Sequence, residues 1–255
     1  MKRTSHNHRG RPEHDADPQL ILSPIHDWFE HQGWSPLPFQ RRTWEAHLKG
    51  LSGLIQVPTG SGKTYAAVMG PIAQMLASAN EQAGIRLLYI TPLRALGRDL
   101  AVALQQPIEA MGWPLRVGIR NGDTPTAERS RQTRTPPEIL ITTPESLCVL
   151  LASRHCEALF KTLETVVLDE WHELIGSKRG IQAELALSWL RQQRPQLQTW
   201  AISATIGNLE ESARHALGER CEPCLITGAP KRGLDVKSIL PDSIDGFPWG
   251  GHLGL

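Results

Sequence analysis

With 255 residues, 40% of them hydrophobic and 21% charged, the chain can bury one large core or two small ones. No apolar run approaches the roughly 20 residues that span a bilayer. The basic start lacks the apolar segment of a secretory leader, and four cysteines are few for a disulfide scaffold. The expectation is a cytoplasmic protein with no membrane partner, and a net charge of +1 argues against one that coats nucleic acid with Lys and Arg.

Residues 1–18 are polar, His-rich and aperiodic, which predicts a disordered tail. From Leu20 onward short apolar runs recur: 54-LIQV-57, 86-RLLYI-90, 115-LRVGI-119, 138-EILIT-142, 165-TVVLD-169 and 199-TWAIS-203. Most are continuously apolar, as strands covered on both faces must be. Helical segments separate them, over 63–78, 94–110 and 181–194, and in the last Ala183, Ala186, Leu187 and Leu190 form one stripe. Strand alternating with helix predicts an α/β domain over 19–228, with a mostly parallel sheet and helices on both faces. The Gly- and Pro-rich 229–255 segment has no clear element and is expected to be a linker. Cys221 and Cys224 form one CxxC without a second pair at zinc spacing.

The run 54-LIQV-57 leads into 58-PTGSGKT-64 and then a helix. Glycines let a backbone curl around phosphates with its N–H groups pointing inward, and the helix adds the positive end of its dipole. Thr59, Gly60, Ser61 and Gly62 are thus candidate phosphate-binding residues. Lys63 would reach the β and γ phosphates of ATP, and the Thr64 hydroxyl would hold Mg²⁺. The strict motif has Gly where this chain has Val57.

Such a loop needs an acid at the end of a neighbouring buried strand. Asp169, after 165-TVVL-168, is the candidate Mg²⁺ carboxylate, and Glu170 the base that polarises the attacking water. The same stretch begins a zinc-protease pattern, H-E-x-x-H, but residue 176 is Gly, so that reading fails.

Taken in order, PTGSGKT, 91-TPLRALGRD-99, 142-TTPESL-147, 169-DEWH-172 and 203-SAT-205 resemble the motifs of a superfamily 2 DExH-box helicase. DEWHELIGSKRG and 201-AISATIGNLEE-211 are similar to the Lhr-type (large helicase-related) branch, most of all to its bacterial ligase-associated DNA-damage-response helicases. The resemblance covers about residues 36–207 and implies a RecA-like P-loop NTPase domain, the first of two. The terminal PWGGHLGL then looks like the entry to the second.

What the resemblance implies goes further than spacing does. Gln40 would read the adenine edge, with Phe39 or Trp34 against the ring. His172, Ser203 and Thr205 would couple the γ-phosphate to movement between domains. Implied partners are single-stranded or partly duplex DNA (RNA as the alternative), the second RecA-like and C-terminal domains, and DNA ligase or nuclease repair proteins. The activity would be 3′→5′ DNA unwinding or translocation, weak in these residues alone because the second domain supplies arginines to the ATP site.

The remaining candidates concern nucleic acid. Thr91, Pro92 and Arg94, and Thr143, Pro144 and Glu145, each follow a strand and open a helix. Thr before Pro is a good helix start, with the Thr side chain as cap. The free N–H groups suit a strand phosphate. Gly122, Asp123 and Thr124 would add a third contact on the same side. Backbone amides and hydroxyls can grip phosphates, so the domain need not be basic.

Overall fold

The computed structural model describes residues 17–78, 84–219 and 221–228. Of the segment expected to be a tail, Asp17 and Pro18 fall within them and open a helix; residues 229–255 lie outside.

Seven strands form one sheet in which every pairing is parallel. They are β1 (Gly53–Gln56), β2 (Leu87–Ile90), β3 (Val117–Arg120), β4 (Ile139–Thr142), β5 (Thr165–Leu168), β6 (Gln198–Ser203) and β7 (Cys224–Thr227), in the spatial order β3-β4-β2-β5-β6-β1-β7. Of the five inner strands, β2, β4, β5 and β6 are buried at every residue. That is why their sequences are continuously apolar instead of alternating. The structure confirms the six expected strands to within two residues and adds β7, whose CLIT run pairs with β1 from Gly53↔Cys224 to Gln56↔Thr227.

Among the described residues ten helices cover the two faces: α1 (Pro18–His31), α2 (Pro38–Leu48), α3 (Lys63–Ala77), α4 (Arg94–Met111), α5 (Thr126–Arg134), α6 (Pro144–Leu151), α7 (Cys156–Phe160), α8 (Trp171–Leu174), α9 (Lys178–Gln193) and α10 (Leu209–Leu217). One core gathers α1 to α4 and the side chains of Ile55, Tyr89, Ile141 and Val167; the other gathers α6 to α10 with Leu54, Leu88, Leu140 and Val166. The alternation along each strand decides which core a residue joins. In α9 the stripe of Ala183, Ala186, Leu187 and Leu190 is buried as its spacing predicts. Among the described residues no helix is long and apolar enough to cross a membrane.

The link between α8 and α9 is tight. Ser177 caps α9, its Oγ accepting from Gly180 N–H at 3.1 Å. A Cβ on Gly180 would lie 2.0 Å from the Leu174 carbonyl oxygen, a contact that backbone must move to relieve. Gly180→Ala should therefore destabilise the fold by about 1–3 kcal/mol, in the range of an overpacked site. Thermal unfolding followed by circular dichroism should show a melting temperature several degrees lower.

Candidate functional site

The phosphate loop sits where β1 leaves the core. Val57 is 1% exposed, and its N–H donates to the Ser203 carbonyl at 3.2 Å. Its backbone is in the ordinary negative-φ range, so the place the strict motif gives to Gly takes a packed Val without strain. Gly60 and Gly62 have φ of 75° and 85°, the left-handed region that Gly enters freely. Gly62 also faces Gln40 so closely that a Cβ would stand 2.7 Å from Gln40 Nε2. Thr59 and Gly60 are exposed, Ser61 Oγ donates to the Pro58 carbonyl at 2.6 Å, and Lys63 and Thr64 begin α3.

Gln40 is buried and already engaged. Its Oε1 accepts from Leu37 N–H at 2.8 Å, and its Nε2 donates to the Gly62 carbonyl at 3.1 Å. The side chain therefore ties the start of α2 to the phosphate loop, a role beyond the adenine contact that sequence suggested. Phe39 is core, while Trp34 is 47% exposed and packs edge-on against Trp28 and Phe29.

The acid pair emerges from the centre of the sheet. Asp169 N–H continues the ladder to the Ile90 carbonyl at 2.8 Å, and its Oδ1 accepts from Glu170 N–H at 3.0 Å. Glu170 is the one non-glycine described residue with positive φ (44°). Such a conformation persists only where surroundings enforce it. The enforcing groups are visible. Trp171, fully buried, donates from Nε1 to the Ser212 carbonyl at 2.9 Å, and Lys63 Nζ contacts Glu170 Oε1 at 3.1 Å. Glu170 Oε2 is buried without a hydrogen bond and lies 3.5 Å from His172 Nδ1. Ser203 Oγ lies 3.2 Å from the same nitrogen and donates to the Thr205 carbonyl at 3.2 Å. Ser203 has one proton, so the bond to His172 requires Nδ1 to carry the hydrogen. Glu170, His172 and Ser203 thus form one polar chain, which Thr205 joins through its backbone.

Burial, and then the neighbouring Glu170 charge, push the Asp169 carboxyl up to about 6. The Tyr89 hydroxyl, Glu170 N–H and Lys63 pull it back only in part. The Asp169 carboxylate and the Thr64 hydroxyl both neighbour the Tyr89 phenol, and with Lys63 held by Glu170 this set fits a hard divalent cation. Among the described residues no group of three or more His, Cys, Asp or Glu could hold a metal. Cys221 and Cys224 are free thiols with pKa raised by burial.

The other candidates line the remaining half of the same edge, because β3, β4 and β2 are neighbours. They are less free than their sequences suggest. Thr91 is 1% exposed and donates to the Leu93 carbonyl at 2.6 Å, so it does not cap α4, whose N-cap is Leu93 and which begins two residues beyond Pro92. Thr143 is the N-cap of α6 with Pro144 at its start, yet its hydroxyl makes no cap bond and donates to Ser146 Oγ at 3.2 Å. Thr124 Oγ1 accepts from Asn121 N–H at 3.0 Å and donates to the Ile119 carbonyl at 3.1 Å. The caps expected of Thr91 and Thr143 are thus replaced by local loop bonds. Arg94 lies over Gly122, where a Cβ would be 2.7 Å from its guanidinium, and pairs with Asp123 at 2.9 Å. Glu145 pairs with Arg179. Sequence reasoning missed Gln56, whose Nε2 donates to the Ile206 carbonyl at 3.1 Å, fastening the loop after β6 to β1; a lone Gln in an apolar run was the only signal.

Residues 37–212 match the DEAD/DEAH box helicase family. The chain is 37% identical over 89% of its length to Lhr helicase/uracil glycosylase of Escherichia coli, of which it spans 16%. It is 32% identical over 90% of its length to ATP-dependent helicase Lhr-Core of Methanocaldococcus jannaschii, spanning 28%. Among solved structures, the Mycobacterium smegmatis helicase Lhr bound to ssDNA and AMP-PNP superposes with a TM-score of 0.75 at 34% identity. That match takes in 85% of this chain and 29% of the other. The RecA-like fold expected from the sequence is the fold found, and with the family match extending over well more than half of its residues, the chain belongs to the DEAD/DEAH box helicases.

Proposed function

We propose that this chain is the first motor domain of an Lhr-type ATP-dependent helicase or translocase that binds Mg–ATP and single-stranded DNA, moves 3′→5′ and serves DNA repair. The observation that carries the reading is the 3.1 Å contact between Lys63 and Glu170, 107 residues apart in sequence. It brings the phosphate loop and the acid pair to one point. The Lhr relative solved with AMP-PNP and ssDNA supports both ligands.

In this reading the amides of Thr59 to Thr64 hold the phosphates, and Lys63 exchanges Glu170 for phosphate oxygens when nucleotide enters. Glu170, released, accepts a proton from the attacking water. Asp169 and Thr64 would hold Mg²⁺, which supplies charge neutralisation between the β and γ phosphates. His172 and Ser203 sense the state of Glu170 and pass it to Thr205. Arg94, Gly122, Thr124 and the starts of α4 and α6 would hold the DNA backbone, through amides more than cations. A second RecA-like domain would supply arginines worth on the order of 10³–10⁵ in turnover, so the 255 residues alone should hydrolyse ATP slowly.

Glu170→Gln tests the enzymatic reading. DNA-stimulated ATP turnover of the full-length protein should fall by about 10²–10⁴, in the range of a lost general base, with nucleotide affinity retained. Turnover within tenfold of the unsubstituted protein would refute it, and stimulation by ssRNA in place of ssDNA would redirect the substrate.

Asp169 gives a prediction of opposite sign for stability. A carboxyl whose folded value stands near 6, above the unfolded one of 3.8, weakens the metal-free fold above about pH 6. That penalty fades as pH falls through 6 towards 3.8. Two units correspond to about 3 kcal/mol as an upper estimate. Asp169→Asn should therefore raise the metal-free melting temperature at pH 8, have little effect near pH 4, and abolish the gain from Mg–ATP. For DNA, the logarithm of affinity should fall with the logarithm of salt at a slope of roughly −1 to −3, as for few displaced cations. Fluorescence anisotropy of a labelled strand would measure it.

A further inference from the structure

Tyr89 is a fully buried phenol in the middle of an apolar strand, and its hydroxyl makes no hydrogen bond of ordinary geometry. Leaving such a group unpaired is destabilising, a cost that a Phe of the same shape would avoid. Its position is informative. Tyr89 pairs in register with Val167, and Asp169 lies two residues further along that strand, on the same face of the sheet. That face is the one α3 covers, and Thr64 stands in the first turn of α3. The polar side chains the phenol meets are Asp169 and Thr64, the two assigned above to the cation, with the Glu170 charge beyond them.

We propose that Tyr89 is a positioning residue for the divalent cation, bridging its two protein ligands through one hydroxyl. With the cation bound, the hydroxyl turns to accept from Thr64 Oγ1–H, which directs the Thr64 lone pairs towards the cation. It donates to one Asp169 oxygen, which leaves the other for the cation or its water. Neither Asp169 nor Thr64 could then swing to another rotamer without leaving the phenol unpaired. A Phe at this place would pack equally well and orient neither ligand. The inference rests on the Mg–ATP reading of the site.

The test is the Mg²⁺ dependence of nucleotide binding by the 255-residue chain, with mant-ADP fluorescence as the readout. Tyr89→Phe should raise the Mg²⁺ concentration for half-maximal binding about tenfold, at the lower end of what losing a supporting hydrogen bond costs a metal site. Affinity in EDTA should stay within twofold. A half-saturation unchanged within twofold would overturn the proposal and leave the site's assignment standing. Absence of any mant-ADP binding would overturn both. A second measurement needs no substitution at Tyr89. The chain has two tyrosines, so 3-fluorotyrosine labelling gives two ¹⁹F resonances, assigned with Tyr65→Phe. The Tyr89 resonance should move when Mg²⁺ replaces EDTA in the ADP complex, and a resonance that stays in place would count against the bridge.

Discussion

The contact between Lys63 and Glu170 is the constraint on which the site depends, because each partner is held by a different part of the sheet. Lys63 is 93% buried at the start of α3, directly after the strand that feeds the phosphate loop. Glu170 stands at the end of β5, two strands away across β6. A parallel sheet aligns all its carboxyl ends, so two segments far apart in sequence meet at one edge without any dedicated connection. The pair is buried enough that removing either side chain would leave the other as an uncompensated charge. In the proposed function phosphate would replace Glu170 as the partner of Lys63, and the pair would be useful through that exchange.

Around that pair the chain accepts local cost. Glu170 adopts a left-handed conformation that a glycine would take more readily, and a glycine has no carboxylate. Trp171 is the anchor that makes this possible, with its indole fully buried against α10 and bonded to Ser212. The Asp169 carboxyl, raised to about 6, is a second cost. Tyr89, an unpaired phenol beneath it, is a third. All three lie within a few residues of one point, which is the pattern of a site whose strain is relieved by ligand.

The parts of this arrangement legible in the sequence are those where chemistry demands a residue type at a spacing. GSGKT, the acid pair after a buried run, and the stripe of α9 are such cases. Helices α1 and α2 were not expected: α1 carries an internal Pro24 that obscures its stripe of Leu22, Ile25 and Phe29, and α2 mixes buried polar groups (Gln40, Thr43, His47) into its inner face. β7 is an edge strand buried at one residue only, so its run lacks the continuous apolar character of the inner strands. Thr91 and Thr143 were placed at the right edge, but their hydroxyls follow the geometry of their own loops, which a Thr-Pro spacing does not encode. Tyr89 looked like core because its neighbours in sequence are core, and only register reveals where its hydroxyl ends.

The order of the strands finally explains how one edge would serve the two proposed ligands. β1, β6 and β5 deliver the phosphate loop, Ser203 and the acid pair, while β2, β4 and β3 deliver the loops that carry Arg94, Thr143 and Gly122. The boundary runs between β5 and β2, where Asp169 N–H bonds the Ile90 carbonyl one residue before Thr91. Any displacement of the acid pair is thus transmitted through a main-chain bond to the first loop of the other half. On the opposite flank, Val57 N–H holds the Ser203 carbonyl and Gln56 holds the Ile206 carbonyl, so Ser203 and Thr205 are bracketed between two attachments to the phosphate-loop strand. A change in the partner of Glu170 has few ways to relax within such a frame. It can move His172 and the loop after Ser203, or it can move the start of α4, and both lie where the proposed motor action would have to begin.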